Sequence, residues 1–256
     1  MKSDLVQDIE KKTQFIKIWR TELSLFKELA EKGIYIRVGS SGYRPISIVP
    51  ENPCGRLFLR ENRDAINREV IDYSSELPIA IKNAKDADEP KSYVPGKDQK
   101  ELRMQATLIR HALKNNLSLH ELCDGFADVF DELIFVTDEI PAGNIRADII
   151  ALGGMKGCYF PVFIELKAKR LLTTLTKQLT NAKDTMEVAR DSFLNLLANA
   201  TGKPKSDIAF DDAKLLMIWP KPKRKGRSVV AKARENGFIV AEYEYDESTP
   251  RIIRTT

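Results

Sequence analysis

The sequence predicts an α/β protein, a hydrophobic sheet covered by helices on both faces, and three observations carry that expectation. Strand-length apolar runs occupy residues 133–140, 214–219 and 238–245. Residues 146–169, RADIIALGGMKGCYFPVFIELKAK, read as two further strands joined by a tight glycine turn. Beside them lie segments whose apolar residues return at the spacing of one helix face. Leu102, Ala106, Ile109 and Leu113 form such a stripe within 101–115, and Leu172, Leu175, Leu179, Ala182, Met186, Ala189, Phe193 and Leu196 form another within 171–197. The order is helix, strands, helix, strand, and hydrophobic strands bordered by helices imply a sheet packed on both sides.

Composition narrows the class. At 256 residues the chain is one large domain or two small ones, long enough for a substantial core. Its 43% hydrophobic and 30% charged composition is that of a soluble protein. No apolar run approaches the roughly 20 residues of a membrane span, and the polar start MKSDLVQDIEKK is not a secretory signal. Cys54, Cys123 and Cys158 are widely spaced, with no CxxC. They argue against a disulfide framework or a zinc ribbon and fit a reducing cytoplasm. With only His111 and His120, both in helical patterns, histidine-rich metal hydrolases are excluded. No G-x-S-x-G elbow marks a serine nucleophile. Gly202-Lys203 has no upstream glycine and is followed by Pro204, so it is not a phosphate-binding P-loop.

The first part of the chain reads as a small α+β unit. Ile9, Phe15, Ile16, Trp19, Leu23, Phe26 and Ala30 predict one amphipathic helix over 8–32, stopped by Gly33. Short strands at 34–38, 46–49 and 57–59 follow, separated by turns at 39–42 and 50–53, and a helix at 62–73 closes the unit. Gly39-Ser40-Ser41-Gly42 is what a hairpin turn requires, and that reading is favoured over a phosphate-contacting loop. Residues 83–99, NAKDADEPKSYVPGKDQ, read as a linker, which divides the chain into units 1–90 and 97–256. In the second unit, Ser118 and Glu121 stand at capping-box spacing, and Leu119, Leu122, Phe126 and Val129 predict a helix behind them. The last strand, 238–245, alternates like a sheet edge.

The chemistry concentrates in 146–169. Successive side chains of a strand point to opposite faces. Glu165 and Lys167 therefore share one face, Ile164 and Leu166 the other, and Asp148 stands near the start of the neighbouring strand. Such a set suits a divalent magnesium ion, which takes carboxylate and carbonyl oxygens and keeps waters. Asp148 and Glu165 are the candidate ligands, with the Leu166 carbonyl as a third oxygen between them. Lys167 would orient a water or steady charge developing on a phosphate. Asp138 and Glu139 end the preceding strand, where acids facing a turn usually serve solubility, and contact of one of them with the same place is the lesser alternative. Over 221–234, Lys221, Lys223, Arg224, Lys225, Arg227, Lys232 and Arg234 occur with no acid among them, and Lys169 and Arg170 stand beside the proposed metal. That is a phosphate-binding footprint, or else a solvated loop.

Asp148, followed by Glu165-Leu166-Lys167 on the next strand, resembles the motif of the PD-(D/E)XK nuclease superfamily, the restriction-endonuclease-like fold. Ala147 stands where that motif usually has proline, and the resemblance covers about residues 97–220. It implies an αβββαβ core with a central mixed sheet flanked by helices. It implies further roles for Glu101, on the first core helix, and Gln178, on the helix after the motif. The activity implied is magnesium-dependent (or manganese-dependent) DNA endonuclease cleavage, of restriction type. The first unit would then read base edges, with Arg37, Arg44, Arg56 and Arg60 available, and a homodimer is compatible with double-strand cutting. A repair or junction nuclease of the same fold, and a non-catalytic nucleic-acid-binding protein, are the alternatives.

Overall fold

A computed structural model describes residues 2–21, 23–31, 33–39, 42–49, 52–56, 100–122, 124–140, 147–167, 181–182, 184–221, 227–246 and 249–254. Helices α1 (Lys2–Thr21) and α2 (Leu23–Glu31) occupy the stretch expected to be one helix, and α1 begins earlier than its apolar stripe suggests. Ile9, Phe15, Ile16, Trp19, Phe26 and Ala30 are all buried, so the helical spacing does mark the packed side. Gly33 ends α2 with φ 78°, and its N–H bonds the Ala30 carbonyl at 3.0 Å.

Strands β1 (Ile34–Gly39), β2 (Gly42–Val49) and β3 (Asn52–Arg56) then form an antiparallel sheet in that order. Gly39 pairs with Gly42, so the glycine-serine stretch is a hairpin turn. The third strand starts inside the expected turn, because Val49 already pairs with Asn52 and only two residues make the connection. Pro53 is tolerated there because, among the described residues, β3 is an edge, where a missing N–H costs no ladder bond. The expected strand at 57–59, helix at 62–73 and linker at 83–99 lie outside the described residues.

The second sheet is mixed and has six strands: β4 (Glu132–Asp138), β5 (Ile149–Met155), β6 (Cys158–Leu166), β7 (Lys214–Pro220), β8 (Phe238–Asp246) and β9 (Thr249–Arg254), neighbours in that order. β4, β5 and β6 are mutually antiparallel, β6, β7 and β8 parallel, and β9 antiparallel to β8. The β5–β6 connection is Lys156-Gly157, with φ 51° and 80°. A two-residue hairpin with both central residues left-handed matches the twist of its strands, and glycine takes the second position without steric cost. Each parallel pair needs a crossover. α4 (Arg190–Thr201) lies in the first and α5 (Arg227–Glu235) in the second. α4 packs on β4, β5 and α1, while α3 (Lys100–Lys114) packs against α2, β2, β3 and β9 and reaches β4 and β6. Every residue of Ile149–Leu152 is buried, as expected for a strand covered on both faces.

Three expectations need correction. Residues 118–129 are not an α-helix: they make only 3₁₀ turns at His120–Leu122 and Asp124–Phe126. The Leu119 N–H bonds the Leu133 carbonyl at 2.7 Å and the Phe135 N–H bonds the Leu117 carbonyl at 2.8 Å. Those bonds to β4 take the backbone groups that a helix would use internally. β8 is not the edge, because β9 pairs along it and takes that place. In the expected 171–197 helix, Ala189 is a turn and α4 runs on to Thr201, although Ala182, Met186, Ala189, Phe193 and Leu196 are buried as the spacing requires.

Side chains from both expected units share one buried cluster, with Trp19 packed edge-on against Phe135 at 5.9 Å. A polar network joins them as well. Fully buried Asp138, at the end of β4, receives Lys12 Nζ at 2.9 Å, Arg37 Nε at 2.6 Å and the Tyr35 hydroxyl at 3.2 Å. Lys12 Nζ also donates to Thr137 Oγ1 at 3.1 Å. Burial alone would raise the Asp138 carboxyl, but Lys12 and Arg37 outweigh it and hold it below the usual carboxylate range. Its contribution to stability is therefore present above the ordinary carboxylate pKa and lost as pH falls through the lowered value. Asp138→Ala should cost about 3–5 kcal/mol at pH 7, because it leaves buried cations unpaired. Urea unfolding at pH 7 and pH 3 checks this, with a smaller difference expected in acid.

Candidate functional site

The register of β5 and β6 sets the site. The last ladder pair at this end is Ile149 with Ile164, so one residue further Asp148 comes opposite Glu165. The Leu166 N–H donates to Asp148 Oδ2 at 2.7 Å, so a side-chain oxygen replaces a ladder acceptor where the strands part. Strand alternation puts Glu165 and Lys167 together, and Lys167 Nζ donates to Glu165 Oε1 at 2.5 Å. Glu165 is only 2% exposed, and among the described residues its other oxygen, Oε2, is buried without a hydrogen-bond partner. The main chain of Lys167 is anchored on both sides: its N–H bonds the Ile218 carbonyl of β7 at 3.0 Å, and its carbonyl accepts from the Tyr243 hydroxyl of β8 at 3.3 Å.

The charges oppose one another. Burial raises the Asp148 carboxyl most, the Glu165 charge raises it further and Glu101 adds to it. The Leu166 N–H and Lys167 offset only part, and the group is pushed up to about 8. Glu165 is also raised, by burial and by the charges of Glu101 and Glu139, against the pull of Lys167. Burial alone would lower Lys167, but its Glu165 hydrogen bond and the charges of Glu165, Asp148 and Glu101 outweigh it and keep the ammonium protonated. Lys167 is therefore a fixed positive charge here, not a base.

Asp148, Glu165, Lys167 and Glu101 are thus within electrostatic reach of one another. Of the two acids ending β4, Glu139 acts on Glu165, whereas Asp138 is taken up by Lys12, Arg37 and Tyr35. Arg37 accordingly points inward to Asp138 and Gln105, which corrects its place among the arginines available to read bases. Gln178, Lys169, Arg170, Lys223, Arg224 and Lys225 lie outside the described residues. Lys221 Nζ is paired with Glu244 Oε2 at 2.9 Å on the surface. Arg227 opens α5, so the distal part of the basic stretch is helical. Leu166, whose carbonyl is a candidate oxygen, is fully buried at the end of β6. His120 Nε2 lies 3.0 Å from the Phe130 carbonyl, a structural role.

One residue of the site was missed. Gln105 of α3 donates from Nε2 to the Asp148 main-chain carbonyl at 2.9 Å. Its signal was present, since it follows Glu101 by one helical turn and so shares that residue's face.

Among the described residues, no group of three or more His, Cys, Asp and Glu side chains is placed to hold a metal ion. No helix among them is long and apolar enough to cross a membrane. Comparison with protein-family models, curated proteins and solved structures finds no match to this chain.

The raised Asp148 carboxyl has a consequence for stability. Its folded pKa exceeds its unfolded one, so its contribution is present in acid and is lost as pH rises through about 8. Asp148→Asn keeps an oxygen to accept the Leu166 N–H and removes the charge. In chelator at pH 8 it should raise Tm by about 2–4 °C for each kcal/mol relieved. Thermal unfolding at pH 8 and pH 4 checks this, and the gain should shrink in acid.

Proposed function

We propose that this chain is a magnesium-dependent DNA endonuclease of PD-(D/E)XK type, acting as a restriction-type phosphodiesterase. The observation that carries the reading is Asp148 opposite Glu165 at the parting ends of β5 and β6, with Lys167 bonded to Glu165. The order of α3, antiparallel β4–β6, a helical crossover and parallel β7 supports the same reading.

The residues fit a divalent cation. Among the described residues, Glu165 Oε2 is a buried oxygen with no hydrogen-bond partner, and Glu101 and Glu139 place like charge near it. Two carboxylates are enough for magnesium, which keeps several waters and uses substrate phosphate oxygens as well. Asp148 and Glu165 would hold it. When bound, it supplies Lewis-acid neutralisation of phosphate charge and lowers the pKa of a bound water.

The remaining work falls to the chain. Leu166 N–H fixes one Asp148 oxygen, so the other is left to turn outward from the strand pair. Lys167, held protonated, places a positive charge where a scissile phosphate gathers negative charge. Its anchored main chain limits how far that ammonium moves. The exposed Lys232 of α5 and Lys221 supply cations for a DNA backbone, and the surface pair of Lys221 with Glu244 is weak enough for phosphate to replace.

Asp148→Ala and Glu165→Ala should reduce magnesium-dependent cleavage of plasmid DNA to background while DNA binding persists. Lys167→Ala should lower the rate by about 10²–10³-fold. Discrete plasmid fragments are expected, and cleavage confined to branched DNA would move the reading to a junction nuclease. Wild-type levels of cleavage in either carboxylate variant would contradict the assignment.

A further inference from the structure

We propose that Gln105 is a positioning residue for Asp148, holding the main chain ahead of β5 where Asp148 faces Glu165, and that Arg37 fixes which way its amide points. The inference rests on reading Asp148 as a metal ligand. It adds that the N-terminal sheet is part of the site's framework and not only a cover over it.

The geometry is a continuous chain of bonds. Asp138 receives Arg37 Nε at 2.6 Å, Arg37 Nη2 donates to Gln105 Oε1 at 3.4 Å, and Gln105 Nε2 donates to the Asp148 carbonyl at 2.9 Å. The amide orientation follows from chemistry. A guanidinium only donates and a carbonyl only accepts, so Oε1 must face Arg37 and Nε2 must face Asp148. Gln105 is buried, with 4% exposure, so water does not readily replace either bond. Asp148 needs such a tie. It stands just before β5, beyond the last ladder pair. The Leu166 N–H and the Gln105 amide hold its side chain and its main chain respectively. A glutamine suits this place because it donates without adding charge. A lysine would offer nothing for Arg37 to donate to, and a glutamate would set another anion beside Asp148.

The test uses two variants of the full chain. Gln105→Glu keeps the shape and the acceptor toward Arg37 but loses the donor, and Gln105→Met loses both bonds while filling similar space. In chelator, the Leu166 amide should exchange with solvent about tenfold faster in both variants, while the Ala151 and Val162 amides keep wild-type rates. Calorimetric titration with manganese should show affinity lower by about tenfold in Gln105→Met. Unchanged Leu166 exchange in Gln105→Met would overturn the proposal, whatever the metal result. Equal slowing or acceleration at all three amides would mean a general change in stability and would also overturn it. If wild-type protein takes up no manganese, the nuclease reading fails on its own, and the exchange arm still decides the role of Gln105.

Discussion

Burial of two carboxyls on adjacent strand ends, with like charge around them, is the constraint that the rest of the structure has to contain. Asp148 and Glu165 are brought opposite each other by the same antiparallel register that packs Ile149 and Ile164 into the core. A one-residue slip would turn every buried β5 or β6 side chain to the other face, so the register is fixed by hydrophobic burial and the acids must accept it. Lys167 and the Leu166 N–H offset part of the cost of burial and like charge, and both carboxyls remain raised. An arrangement that stability alone would select against points to a use for the charge.

The contrast with Asp138 sharpens this. Both aspartates lie at the same end of the sheet, one ending β4 and one preceding β5. Asp138 has Lys12 and Arg37, an excess of cations, and is held low and fully committed. Asp148 has other acids for neighbours and is held high. Two identical side chains are thus pushed in opposite directions: Asp138 is held toward its ionised form between α1 and β1, and Asp148, more by burial than by its acidic neighbours, toward its protonated form. Environments that push like groups apart in this way are how acid and base roles are separated within one site.

Much of the site was legible in the sequence because its determinants are local. The two-residue alternation of Glu165 and Lys167, the Lys156-Gly157 turn and the buried β5–β6 run each depend on residues close along the chain. Glu101 was reached through the resemblance, which implies an acid on the first core helix. What escaped was non-local. The commitment of Asp138 elsewhere was not visible because its partners Lys12 and Arg37 come from more than a hundred positions upstream, 126 and 101 residues away. Residues 118–129 looked helical because their apolar spacing fits a helix, whereas bonding to β4 decided their backbone. The edge position of β8 was misjudged because β9, with Pro250 and two arginines in a short run, carries little strand signal of its own.

Anomalous diffraction from crystals soaked in manganese tests the central claim most directly. The account predicts one ion at the parting ends of β5 and β6, with oxygens of both Asp148 and Glu165 among its ligands and Lys167 beside it. An empty site at saturating manganese, with Glu165 bonded to Lys167 alone, would contradict it.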